Sequence, residues 1–180
     1  MMEQTFGTHD QFNNGVGFFD LNMYLLGVPI TIRVDDFLPF WGSYTTTLSA
    51  KVTNKGVWMP LLEKAFAKIL GNYSGLVAGT TDDALMVLSG FPSSRVTVSA
   101  SSSDTELCDT MKHAMEHNDI LACDSVSAPP FSWVPGHAFT LLGCYDVNGE
   151  KLVKVRNPWG RDAGVTQPWN DSDSIWGTVS

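Results

Sequence analysis

The stretch Gly136-His-Ala-Phe-Thr-Leu-Leu-Gly-Cys-Tyr-Asp-Val-Asn-Gly-Glu-Lys-Leu-Val-Lys-Val-Arg-Asn-Pro-Trp-Gly160 decides the fold. Asn148-Gly149 is the strongest short hairpin signal in the chain, because both residues tolerate the left-handed backbone that a two-residue turn needs. It joins apolar strands over 138–145 and 151–156. His137 stands just before one strand and Asn157 just after the other. In a regular two-residue hairpin the numbers of paired residues sum to a constant, here 148 + 149 = 297. Asn157 then opposes Thr140, three residues from His137, an offset of about 10 Å along the strand. A bulge, or a bend at Gly136, would close that gap. An imidazole and a carboxamide at one end of a sheet suit cysteine-based acyl transfer. The imidazole takes a thiol's proton, and the amide oxygen holds it in one tautomer. On spacing alone, a structural His and an Asn-Pro turn are the commoner readings of these two residues.

Working outward, a Pro-rich bend occupies Pro129, Pro130 and Pro135, after a short buried strand at Ile120–Cys123. Three helices precede it. The first, 58–70, carries one apolar stripe of Trp58, Leu61, Leu62, Ala65, Phe66 and Ile69, with Gly71 past its end. Helices over 81–89 and 104–117 start at Thr80-x-x-Asp83 and Ser103-x-x-Glu106. Residues 16–36 alternate as a hairpin with turn chemistry at Gly27-Val28-Pro29. Residues 1–15 are polar and Gly/Asn-rich and read as a flexible N-terminal arm. The tail ends in a strand-like Ile175–Val179. The order β-β-α-α-α-β-β-β predicts an α+β fold, an antiparallel sheet with about three helices over 16–180.

The chain has 180 residues, enough for one domain with a real core at 43% hydrophobic residues. Its net charge of −8 excludes a nucleic-acid module, which needs a basic face. No apolar run reaches the ~18–20 residues that cross a bilayer. The first residues show no signal-peptide pattern, and three cysteines are too few and odd in number for a disulfide framework. Reduced thiols and an intracellular, cytoplasmic location are the expectation.

Residues 136–160 closely resemble the histidine–asparagine segment of calpains, the papain-like cysteine endopeptidases. The resemblance extends to VDDFLP at 34–39, WMPLLEKAFAKILGNYSGL at 58–76, GTTDDALMVLSG at 79–90 and ILACDS at 120–125. It implies the sheet-rich second subdomain of the protease core, truncated at its C-terminal end. His137 then matches the general base and acid, Asn157 the residue that orients it, and Trp159 the indole that shields their hydrogen bond. The family's nucleophile pattern, Gly-x-Cys-Trp, does not occur. The resemblance therefore implies a partner, a Cys-bearing subdomain carried elsewhere, and polypeptide as substrate. No cofactor is required by the sequence. Calcium is implied only by the family, with Asp171 and Asp162 at ligand positions and further ligands expected past residue 180. Against the six to eight oxygens that calcium takes, that site is incomplete. His113 and His117 share a helix face but lack the glutamate of a zinc-protease motif. The alternative reading is a catalytically inactive scaffold subunit that binds partner proteins.

Overall fold

Leu21 and Met23 alternate with polar Asn22, so a strand through them presents one apolar face, and both side chains are fully buried. The computed structural model describes residues 17–41, 46–47, 50, 56–77, 79–161 and 164–178. The arm expected over 1–15 lies outside them. The chain divides into two units, residues 1–95 and 96–180, each built from its own elements.

In the first unit β1 (Phe18–Leu25) pairs antiparallel with β2 (Val28–Asp35), with Leu21 opposite Ile32 and Met23 opposite Ile30. The turn falls one residue earlier than expected. It uses Leu26 and Gly27 at φ 52° and 78°, so Val28 and Pro29 belong to β2. Two successive left-handed residues match the twist of the flanking strands, which outweighs the turn preference of proline. A short pair, β3 (Phe40–Trp41) and β4 (Thr46–Thr47), follows. Helix α1 (Trp58–Ile69) lays Leu61 and Ala65 against Leu21, Met23 and Val34 to form the core of this unit.

Helix α2 (Thr81–Ser89) starts as expected, with the Thr80 hydroxyl accepting the Asp83 N–H. It stops at Gly90, where φ is +74° and an added Cβ would lie 2.6 Å from the Tyr24 ring. Both the backbone and the close approach to β1 demand glycine there. Gly90→Ala is therefore expected to destabilise the first unit by about 2 kcal/mol, from left-handed strain plus overpacking. A lower urea midpoint with an unchanged slope checks it.

The second unit holds α3 (Asp104–Glu116), capped by the Ser103 hydroxyl on the Glu106 N–H, and an antiparallel sheet in the order β5-β6-β7. Its strands are β5 (Ala122–Asp124), β6 (Ala138–Val147) and β7 (Glu150–Arg156). Asn148 and Gly149 turn at φ 54° and 86°, as the hairpin signal required. The α+β class stands, with three separate antiparallel sheets among the described residues rather than one. No described helix is long and apolar enough to cross a membrane.

Two further expectations are corrected. The strand-like tail is a 3-10 helix over Ser174–Thr178. Asp173 accepts the Ile175 N–H at 3.0 Å and the Trp169 N–H at 2.8 Å, and the Thr178 hydroxyl donates to the Ile175 carbonyl at 2.7 Å. Local caps override the β preference of Ile and Trp. The cysteines are not all reduced, because Cys108 and Cys144 are joined in a disulfide. Counting cysteines could not reveal this pair. It exists because α3 lies along β6 with the two Cα atoms 5.4 Å apart, inside the range a disulfide spans.

Candidate active site

The hairpin register supplies the positioning. Next to the turn, pairs sum to 297 as expected, from Val147 opposite Glu150 to Gly143 opposite Lys154. Then the register slips. Leu141 faces Val155 and Thr140 faces Arg156, with Leu142 left over as a bulge. Carried one step past the strand end, this register sets Asn157 opposite Phe139 rather than Thr140. Side chains alternate between faces, so a one-residue slip changes which residues share a face. His137 and Phe139 lie on one face, and the bulge moves Asn157 onto that same face. The buried side shows the switch: Phe139 and Leu141 point inward before the bulge, and Cys144 after it. The remaining offset of two residues, about 7 Å, is a diagonal that long side chains bridge.

The two side chains meet. His137 Nε2 lies 3.0 Å from Asn157 Oδ1. Neighbouring main chain fixes which way the carboxamide points. Asn157 Oδ1 also accepts the Trp159 N–H at 3.0 Å, and Asn157 Nδ2 donates to the Arg161 carbonyl at 2.9 Å. A main-chain N–H only donates and a carbonyl only accepts, so the amide cannot be flipped. An amide oxygen facing Nε2 requires the proton to be on Nε2. Nδ1 is then the nitrogen with an open lone pair. The turn that presents Asn157 follows from Asn-Pro-Trp-Gly: proline presets the first corner, and the Gly160 N–H closes on the Asn157 carbonyl at 3.0 Å.

Aromatic rings flank the imidazole. The Trp159 indole sits 4.6 Å from it at 47°, and Phe139 meets it edge-on at 4.8 Å. Trp159 is 53% exposed, so it lies at the surface beside the imidazole and is no core residue. Trp133 in turn packs on Phe139 at 4.9 Å and hydrogen-bonds through its indole N–H to Gln167. Sequence reasoning did not single out Ser125, Phe139, Trp133 or Gln167. For Phe139 a signal was present, since it lies two residues from His137 on an alternating strand.

Cys108 and Cys144 are bonded to each other, and burial, then the Asp124 carboxylate, pushes the Cys123 thiol above its ordinary value. Of the two predicted calcium ligands only Asp171 lies among the described residues, exposed in a turn, and Asp162 lies outside them. Both oxygens of nearby Asp173 already accept main-chain N–H groups. Among the described residues no three His, Cys, Asp or Glu side chains gather to hold a metal. His113 and His117 stack on each other at 4.3 Å, and Cys108 is committed to its disulfide.

The family model for calpain family cysteine proteases matches residues 1–180. The chain is 29% identical over 178 residues to calpain clp-1 of Caenorhabditis elegans, covering 92% of this chain and 22% of that one. It is 31% identical over 181 residues to the human calpain-1 catalytic subunit, covering 93% of this chain and 25% of the relative. Against the calpain-type cysteine protease DEK1 of Zea mays it is 27% identical over 173 residues, covering 91% and 8%. The chain thus spans a quarter or less of these relatives' lengths.

Proposed function

Because the chain belongs to the calpain family of cysteine proteases, we propose that it forms the His/Asn-bearing part of a calpain-like endopeptidase and serves a thiol carried elsewhere. The observation that carries this reading is the His137 Nε2 to Asn157 Oδ1 bond at 3.0 Å, which leaves Nδ1 as the proton acceptor. The steps follow from that tautomer. A cysteine Sγ–H bond breaks and its proton goes to His137 Nδ1. The thiolate forms a bond to the scissile carbonyl carbon of an extended polypeptide. The imidazolium returns its proton to the departing amine as the C–N bond breaks. Water, deprotonated by the same nitrogen, then bonds through its oxygen to the acyl carbon, the C–S bond breaks, and the imidazolium returns the proton to Sγ. Through both halves Asn157 holds the ring and stabilises the imidazolium, and Trp159 limits water at their bond, which strengthens it.

The scaffold reading is favoured by one observation, the absence of a usable thiol among the three cysteines. A peptidyl epoxide that labels active cysteines separates the two. The chain alone is expected to take no label. Mixed with the Cys-bearing half of a calpain relative, it is expected to promote labelling of that half. His137→Ala is expected to cut the rate at least a hundredfold. No labelling in the mixture would leave the scaffold reading standing. The chain is read as intracellular from its composition, with the Cys108–Cys144 bond as the opposing observation. Alkylating the protein without reductant decides this point: an intracellular, reduced chain exposes all three thiols on unfolding, an oxidised one only Cys123.

A further inference from the structure

Ser125 stands just past the end of β5, opposite His137. In a regular antiparallel ladder two such residues exchange main-chain bonds, each N–H to the other's carbonyl. Half of that pattern is present: the Ser125 N–H donates to the His137 carbonyl at 2.9 Å. The other half is replaced. The His137 N–H donates to Ser125 Oγ at 2.9 Å, so a side chain takes the place of the carbonyl. The same hydroxyl donates its proton to the Val134 carbonyl at 2.5 Å, in preference to the longer contact of 3.3 Å with the His137 carbonyl. One residue therefore grips both main-chain groups of His137 and ties them to the Pro-rich bend. The Gly136 N–H donates to the Val126 carbonyl at 3.2 Å, a bond that a regular ladder does not make at the neighbouring pair. This substitution ends β6 at Ala138 and lets the chain leave the ladder where the imidazole must turn diagonally toward Asn157.

We propose that Ser125 is a positioning residue for His137, setting the main chain so that the ring meets the Asn157 carboxamide. Its role is exercised through His137, and the proposal rests on the His/Asn reading above. The consequence is a change in tautomer. With Oγ removed, the His137 N–H loses its acceptor and the bend loses its tether. Small displacements at such a site have large effects. The Nε2–H form then loses the bond that selects it.

The test is nitrogen-15 NMR of the full chain labelled at histidine, which reads the ratio of the two neutral tautomers of His137. Ser125→Ala is expected to lower the Nε2–H to Nδ1–H ratio by roughly fivefold, the weight of one ordinary hydrogen bond. Ser125→Thr, which keeps the hydroxyl, is expected to restore it. A merely structural serine would leave the ratio where it was. Asn157→Ala is measured alongside. If it shifts the ratio and Ser125→Ala does not, the Ser125 proposal falls and the His/Asn pair survives. If neither shifts it, the pair itself falls. Should the alanine variant lose the folded spectrum, Ser125→Cys, with sulfur as a weak acceptor, is read in its place with the same two outcomes.

Discussion

Replacing Asn157 by alanine is expected to slow His137-dependent labelling of a supplied cysteine by about a hundredfold, the usual range for losing a group that orients a reactive ligand. The size follows from three losses at once. The Nε2–H loses the acceptor that fixes the tautomer. The Trp159 N–H loses its partner, which loosens the ring that covers the pair. The Arg161 carbonyl loses its donor. Asn157→Asp removes only the third. It keeps an oxygen for Nε2–H and for the Trp159 N–H, while setting a carboxylate against the Arg161 carbonyl. The aspartate variant is therefore expected to stay within about tenfold of the parent rate, since one neutral hydrogen bond is worth about 1 kcal/mol. Second-order labelling rates at neutral pH decide the matter. An alanine variant as fast as the parent would remove the orienting role from Asn157.

The parts of this site differ in how well the sequence announces them. The Asn148-Gly149 turn was legible because few residue pairs accept two left-handed corners in succession. The helix starts at Thr80 and Ser103 were legible because a hydroxyl three residues before an acidic side chain has one common use. The bulge was one of two ways to close the gap, but its place at Leu142 was not legible. It lies inside the apolar run Phe139–Cys144, where polarity does not mark the face, so the pattern cannot count residues against β7. That hidden count is what sets His137 and Asn157 on one side. The disulfide was hidden for a related reason. Cys108 and Cys144 are 36 residues apart, and only the packing of α3 on β6 brings them together. Ser125 was hidden because its work is done by a hydroxyl standing in for a main-chain carbonyl, and a serine after a strand has no distinctive pattern. The tail shows propensity losing to capping, with Asp173 as the deciding residue.

Reducing the Cys108–Cys144 bond is expected to be the largest single destabilisation available to the second unit. Helix α3 is weakly anchored by packing alone. Of its residues only Cys108 is buried, while Leu107, Met111 and Ala114 are half-covered and Met115 is 39% exposed. The bond therefore supplies the firmest attachment of the helix to the sheet. Closing a loop of this separation, 36 residues, restricts the unfolded chain by about 4 kcal/mol on the chain-entropy account. At about 1.4 kcal/mol per tenfold, that is several hundredfold in the opening equilibrium. Amide hydrogen exchange reads it directly, because protection reports local opening. Amides of Phe139–Cys144 are expected to lose several hundredfold protection on reduction, and those of Leu21–Met23 in the first unit to keep theirs. Cys108→Ser with Cys144→Ser is expected to match the reduced protein. The effect carries to the site, because β6 ends at Ala138, next to His137. A helix free to leave β6 removes support from the strand that aims the imidazole. The reduced chain is expected to lose part of its tautomer preference at His137, and equal protection in both redox states would show that packing alone holds α3.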